Sequence, residues 1–233
     1  MIQSKIIIKD ALYYIMSKII PAIAGIIFIV FFNKTAGISE YGNYSLLIYK
    51  VNLIVTFCFG WLNQSQLRYA GYESKEHKKK INYSKNLIFF QMILAFIILL
   101  LLFFDFKISK NEKLISLFCV LSIGLFTFFK TFFQAKLLPP IVFQINILQS
   151  LFYLLLPLLF FLNKTKIFSE TFLLTTGLSF LLANLILLHK NKKFFDNLFN
   201  VNLNFKNIKK WLKFGIPVSI WSSLGMLLHF LDR

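Results

Sequence analysis

Long apolar runs divide this chain, and they leave it few ways to fold. One of them, residues 86–104, is built almost entirely of Ile, Leu and Phe. About 20 such residues cross the hydrocarbon core of a bilayer as a helix. A backbone exposed to lipid must satisfy its own hydrogen bonds, so these spans are helices, and continuous runs do not fit the alternating strands of a barrel. The sequence therefore predicts an all-α, polytopic membrane protein.

Six complete apolar blocks and the start of a seventh follow one another. The predicted spans are 11–32, 41–67, 86–104, 114–138, 141–162 and 171–188, and a seventh begins at Lys210 and reaches the last residue of the sequence. The pair Pro139-Pro140 separates the fourth and fifth spans, because proline lacks the amide donor and disfavours helix in the residue before it.

The connections between the blocks predict how the chain is organised. Short loops at 33–40 and 105–113 imply antiparallel neighbours, whereas the connections at 68–85 and 189–209 are longer and basic. We predict a six-helix N-terminal transmembrane lobe over residues 1–189, a basic cytoplasmic linker over 190–209, and a truncated seventh helix of a second lobe over 210–233.

The charge of the chain points to lipid rather than to nucleic acid. The formal net charge is +17, but the lysines lie between apolar blocks, and no soluble basic domain carries them. Such positions are typical of anchors beside anionic lipid. Eighteen Lys and Arg residues lie on the side of the N-terminus and the two long loops, and six lie on the other side. This bias predicts a cytoplasmic N-terminus and a multi-pass protein of the cell inner membrane.

Catalytic and metal chemistry have little support in the sequence. Cys58 and Cys119 lie inside apolar blocks, where cysteine behaves as a small apolar side chain. The three histidines are far apart, and the chain has no paired carboxylates, no Ser/His/Asp set and no glycine-rich phosphate loop. We therefore expect neither an enzyme nor a bound cofactor or metal.

Lysines inside the spans are candidate binding residues. A charge inside a span costs at least ~2.5 kcal/mol, so it needs a reason. Lys50 follows Tyr49 in the second block and is expected to face a polar cavity that holds an anionic substrate; the alternative is a lysine that snorkels to the interface. Lys18, in the first turns of the first block, has the same two interpretations. Lys130 is expected to mark a plain helix end.

Polar residues near the ends of two spans are further candidates. Asp232 and Arg233 are adjacent opposite charges inside the seventh block, and with His229 they would face a cavity or one another. The alternative is an ordinary helix end. The run Asn63-Gln64-Ser65-Gln66 leaves two interpretations open, the lining of a cytoplasmic vestibule and a wet helix end.

Five short motifs, in this order, resemble one group of membrane exporters. They are Glu40-Tyr41-Gly42-Asn43-Tyr44, Gln66-Leu67-Arg68-Tyr69, Phe132-Phe133-Gln134-Ala135, Phe214-Gly215-Ile216-Pro217 and Leu231-Asp232-Arg233. They are similar to motifs at corresponding spans of the Wzx-type oligosaccharide or O-antigen flippases. Those proteins belong to the multidrug/oligosaccharidyl-lipid/polysaccharide exporter superfamily. The resemblance covers the whole chain.

The resemblance implies a transporter of about 12 to 14 helices in two lobes around a central cavity. This chain would supply the N-terminal lobe and the start of the seventh helix. The implied substrate is an oligosaccharide on polyprenyl pyrophosphate, with membrane lipid and a polysaccharide polymerase or chain-length proteins as further partners. Lys18 and Lys50 lie on the spans where related flippases keep cavity arginines, and Asp232 and Arg233 match the motif in the seventh span. Lysine binds phosphate as a point charge rather than as a fork.

Three alternatives remain open. A drug or cation antiporter of the same superfamily would need an acidic residue in its cavity, and Asp10 and Asp105 lie at block edges. A membrane polymerase or glycosyltransferase would need a large external loop or an acidic active site. The third alternative is a non-functional truncated product, because the sequence stops inside the seventh block and half a cavity cannot alternate between two sides.

Overall fold

The computed structural model describes residues 2–70, 110–162, 168–191 and 205–231, and this part of the chain is helical apart from short turns. The helices are α1 (Ile2–Ala36), α2 (Ile38–Ala70), α3 (Lys110–Ala135), α4 (Pro139–Leu162), α5 (Ser169–Lys190) and α6 (Phe205–Leu231). Each of these six is long and apolar enough to cross a membrane. The predicted all-α polytopic membrane fold is confirmed. The predicted span 86–104 lies outside the described residues.

Packing between the helices sets their order in the bundle. The most extensive contacts join α6 to α2, α2 to α3, α3 to α5, α5 to α4 and α4 to α1. The Cys119 thiol donates a hydrogen bond to the Leu173 carbonyl, and seven residues further along both helices Phe126 packs edge-on against Phe180. Helices α3 and α5 are therefore parallel.

Contacts at two points along a helix pair also give the relative directions of other helix pairs. Ser65 bonds to Trp211 and Thr56 bonds to Met226, so the numbers rise along α2 as they fall along α6, and these two helices are antiparallel. Helices α1 and α4 run parallel, because Tyr13 contacts Phe143 near their beginnings and Phe31 contacts Phe161 near their ends.

The first helices are longer than predicted. A loop at 33–40 was expected, and this expectation is wrong, because α1 continues to Ala36 and α2 begins at Ile38. Gly37 alone joins them with a φ of +89°, a conformation that glycine adopts without steric cost. The Thr35 hydroxyl donates to the Phe31 carbonyl at 2.9 Å and so fits inside the helix. Polar residues at this end of α1 do not interrupt it.

Other predicted loops are also shorter than expected, because the neighbouring helices extend into them. Residues 68–70 belong to α2, residues 110–113 belong to α3, and α6 begins at Phe205 rather than at Lys210. Lysine is a good helix former, so a helix can continue past its apolar part into the region of the lipid headgroups. The remainder of the two long basic connections, 71–85 and 192–204, lies outside the described residues.

The predicted break at Pro139-Pro140 is confirmed, and it forms a compact turn. The Leu138 amide donates to the Phe133 carbonyl at 3.1 Å and the Leu137 amide donates to Gln134 at 3.0 Å, which together close a Schellman motif after α3. Leu137 takes the left-handed position of this motif with a φ of 55°. Pro139 is the first residue of α4, where its missing donor is not needed.

Aromatic side chains fill the core near the shared end of α1 and α2, which we call the Glu40 end. The rings of Phe32 and Phe172 stack with centroids 3.6 Å apart, and both are buried. The buried Tyr44 hydroxyl lies 3.2 Å from the Tyr153 hydroxyl and 3.0 Å from Thr176 Oγ1. This hydrogen-bond network ties α2, α4 and α5 together.

Candidate anion-binding site

Lys18 and Lys130 are two cations that lie within membrane spans. Lys18 is exposed on α1, directly after the buried Ser17, and Lys130 is partly buried on α3, five residues before the helix ends. The interpretation of Lys130 as a helix end stays a prediction.

The ring of Phe126 lies one turn before Lys130 on the same helix. The Lys130 ammonium is 5.9 Å from the centroid of this ring, which provides a weak cation–π attraction. An anion bound beside the Lys130 ammonium would add a charge–charge attraction, which is less screened inside a span than in water.

Lys18 and Lys130 lie on helices that are far apart in the chain, so the sequence does not indicate how their charges are arranged. A charge inside a span was the available clue for each residue separately, and it identified Lys18 as a candidate.

The other predicted binding residues are Lys50, Asp232 and Arg233. Lys50 is exposed on α2, directly before the buried Val51. The buried face of α2 also carries Val55, Cys58 and Leu62, so Lys50 projects from a different face of the helix. Asp232 and Arg233 lie outside the described residues.

Two residues of the polar run near the end of α2, Ser65 and Gln66, are packed into the protein, which neither of its two interpretations predicted. Ser65 is buried and its hydroxyl donates to the Trp211 carbonyl at 2.7 Å. Gln66 is fully buried, and both its amide atoms lack a partner within the described part of the chain. Gln64 is exposed, as a helix end facing water would be. An open vestibule is therefore wrong for Ser65 and Gln66.

The two described cysteines, a residue type that often takes part in catalysis, have structural roles. Cys58 and Cys119 are buried, free thiols. Within residues 2–70, 110–162, 168–191 and 205–231, no group of three His, Cys, Asp or Glu side chains could hold a metal ion. The sequence interpretation of the cysteines as apolar packing residues agrees with their burial.

A close backbone contact joins α6 to α2, and we call it the α2–α6 seam. Every fourth residue of α6 is buried in it: Trp211, Gly215, Ser219 and Ser223. A Cβ atom added to Gly215 would overlap the Trp61 carbonyl and lie 2.5 Å from Ser65 Oγ. The Ser219 hydroxyl donates to the Thr56 carbonyl at 3.0 Å. Small residues at this spacing allow membrane helices to approach closely.

Two motifs from the family resemblance meet at one end of this seam, which we call the Arg68 end. The Arg68 guanidinium carbon lies 4.2 Å from the centroid of the Phe214 ring, and Tyr69 packs edge-on against the same ring. Sequence reasoning identified both motifs but not their contact. The small-residue spacing Gly215, Ser219, Ser223 is the signal that could have predicted the pairing.

Comparison with known proteins assigns the chain to a family. No curated protein and no solved structure matches it. The family described as polysaccharide biosynthesis protein matches residues 7–233, which include the predicted spans and every candidate residue named above. Six described helices can cross a membrane within this range. The chain is therefore a multi-pass membrane protein that belongs to the polysaccharide biosynthesis protein family.

Proposed function

We propose that this chain acts in the translocation of a polyprenyl-pyrophosphate-linked oligosaccharide across the bacterial inner membrane. Proteins of its family are generally transporters rather than enzymes and serve polysaccharide synthesis and export. The observation that carries the proposal is that Lys18, Lys50 and Lys130 lie within membrane spans of a chain that matches this family. Cations inside spans need an anionic partner, and a pyrophosphate would supply one.

The pair suits a pyrophosphate better than a singly charged anion. Each ammonium provides three donors and one charge, so Lys18 and Lys130 together can neutralise two charges of the diphosphate. Lys50, exposed on α2, adds a third cation within a span. In the proposed topology the N-terminus is cytoplasmic, and the substrate is taken from the cytoplasmic leaflet for polymerase or chain-length proteins to use on the other side.

A cation-coupled antiporter is the second candidate, and the positions of the acidic residues argue against it. The acidic residues of the described helices are Asp10, Glu40, Glu112 and Glu170. Three of them lie in the first turn of a helix, and Asp10 is the third residue of its span. The middle of each described span therefore contains no carboxylate that could carry a proton or sodium ion.

A binding experiment with the purified chain tests the lysine pair. Polyprenyl pyrophosphate is titrated against the parent protein and against the variants Lys18→Gln, Lys130→Gln and Lys50→Gln. Lys34→Gln, an exposed lysine in the last turn of α1, is the matched control. We expect about tenfold weaker binding for Lys18→Gln and for Lys130→Gln, since a charge-assisted hydrogen bond contributes about 1.5–3 kcal/mol.

Transport is tested in cells that lack their own flippase. The parent chain and the same variants are expressed there, and surface polysaccharide is measured beside the amount of protein in the membrane. Loss of display for the Lys18 and Lys130 variants, with normal display for Lys34→Gln, would support the proposal. Normal display and unchanged pyrophosphate affinity for all variants would exclude the lysine pair as the substrate site.

A further inference from the structure

Three aromatic rings and two cations meet at the Arg68 end of the α2–α6 seam. We call this group the Arg68 cluster: Arg68, Tyr69, Lys210, Trp211 and Phe214. The Arg68 guanidinium lies over the Phe214 ring at 4.2 Å, and the Lys210 ammonium lies 4.8 Å from the Tyr69 ring centroid. The Tyr69 and Trp211 rings stack at 6.0 Å. Both helices therefore contribute a cation and at least one ring to a single cluster.

The cluster lies at the ends of two apolar spans, where lipid headgroups are expected. Tyr69 is the last residue of one apolar span, and Lys209 is the first residue of the other. Tyrosine and tryptophan are enriched at this level of the bilayer, where one part of the ring is in hydrocarbon and the polar atom reaches water. Arg68 and Lys210 are both exposed, so a headgroup can reach them.

The two cations have no acidic neighbour on their own helices. Neither residues 50–70 nor residues 205–231 contain an Asp or a Glu. Stacking on Phe214 uses the face of the Arg68 guanidinium and leaves the N–H groups at its edge free to donate to a phosphate. The same stacking holds the plane in a fixed orientation, so little side-chain entropy is lost when a ligand binds.

We infer that the Arg68 cluster binds the headgroup phosphate of an anionic phospholipid. The phosphate would accept hydrogen bonds from the Arg68 guanidinium on α2 and from the Lys210 ammonium on α6. Ile216 and Ile220, further along α6 towards the bilayer interior, are exposed and offer an apolar surface to the acyl chains. The bound lipid would join the two helices at the end of the seam, and this role is separate from that of the Lys18–Lys130 pair.

The full chain in a neutral detergent allows a direct test. Phosphatidylglycerol or phosphatidylcholine is titrated, the thermal midpoint of unfolding is followed, and native mass spectrometry counts the lipids that stay bound. A ligand that binds only the folded protein raises its stability with concentration. We expect a larger rise with phosphatidylglycerol than with phosphatidylcholine, and the difference should shrink as salt is added.

Variants of Arg68 and Lys210 test whether phosphatidylglycerol binds at the Arg68 cluster. Each cation near an anionic membrane surface strengthens attraction about fivefold, so Arg68→Gln with Lys210→Gln should bind phosphatidylglycerol ~30-fold more weakly. Lys34→Gln, near the Glu40 end, should keep the parent affinity. Lys210→Gln alone leaves the Arg68–Phe214 stack in place and should lose about fivefold, which keeps the test valid if the double variant folds poorly.

Two further titrations separate the possible sources of phosphate. Inorganic phosphate should give no comparable stabilisation, since it lacks the acyl chains that the exposed face of α6 would contact. Polyprenyl pyrophosphate should still bind the double variant as it binds the parent, because its proposed site is the Lys18–Lys130 pair. Phosphatidylglycerol affinity that is equal in the parent and the double variant would overturn the inference. An equal rise in stability with inorganic phosphate would also overturn the inference. A double variant that loses affinity only for polyprenyl pyrophosphate would overturn it as well.

Discussion

The carboxylate of Glu40 accepts a hydrogen bond from the backbone amide of Ser169, with Oε2 2.9 Å from the nitrogen. Ser169 is the first residue of α5, and Glu40 lies in the first turn of α2. The first amides of a helix have no partner inside the helix, and the start of a helix carries partial positive charge. Glu40 therefore caps α5 from another helix and fixes the position of the start of α5 beside the start of α2.

Replacing Glu40 by Ala should destabilise the lobe by about 1 kcal/mol, because it removes a cap and a favourable charge at the start of α5. Equilibrium unfolding in mixed micelles measures the loss. Glu170→Gln is the control, since Glu170 lies in the same first turn and its replacement removes a charge without removing this cap. A loss for Glu170→Gln as large as that for Glu40→Ala would show that the general charge, and not the Ser169 hydrogen bond, stabilises α5.

Adding a methyl group at Gly215 should weaken the α2–α6 seam. Gly215→Ala would force its Cβ against the Trp61 carbonyl and Ser65 Oγ, and such overpacking costs roughly 1–3 kcal/mol. Gly225→Ala on the same helix is the matched control, because a Cβ there meets nothing within 4 Å. Alanine favours helix over glycine, so Gly225→Ala should be neutral or stabilising by up to about 1 kcal/mol. Equal thermal stability of the two variants in detergent would contradict the close approach of α2 and α6.

Removing the Tyr44 hydroxyl should break the network that ties α2, α4 and α5. Tyr44→Phe is expected to cost about 1 kcal/mol, because Tyr153 and Thr176 both lose a buried partner. A double-mutant cycle with Tyr153→Phe should show that the two losses do not add, since both remove the same hydrogen bond. Strictly additive losses would indicate that the two hydroxyls act independently.

Replacing Gln66 by Met should stabilise the helix bundle by about 1–3 kcal/mol. The Gln66 amide is fully buried and lacks a partner among the described residues, so nothing in that part of the chain compensates its desolvation. Methionine has a similar length and can fill the same space. Gln64→Met, at an exposed position two residues earlier, should change stability little. A marked loss of stability for Gln66→Met in unfolding experiments would mean that the amide is hydrogen-bonded in the membrane.

The helical membrane fold could be predicted from the sequence because its main determinants are local. The apolar runs are long enough to require helices, and Pro139 ends one helix and begins another through its own covalent structure. The ends of α1 and α2 could not be predicted in the same way. Polar residues such as Asn33, Thr35 and Glu40 are typical of loops, yet here they lie in helices that meet at Gly37.

The candidate site could be predicted only in part, since it depends on contacts between distant helices. Lys18 was identified because a charge inside a span is costly, and Lys130 joins it as a cation within a described span. Lys50 stays a prediction, as do Asp232 and Arg233, which lie outside the described residues. The family match confirms a role in polysaccharide biosynthesis, whereas flipping of a lipid-linked oligosaccharide stays a proposal.

The contact of Gly215 with Trp61 has a consequence for how the protein is made. Helix α2 leaves the ribosome long before α6, and at ~5–20 residues per second the interval is on the order of ten seconds. During that time the seam face of α2, with Thr56, Gly60 and Ser65, has no α6 to cover it. The order of synthesis is therefore not the order of packing. The α2–α6 seam can form only after α6 has entered the bilayer.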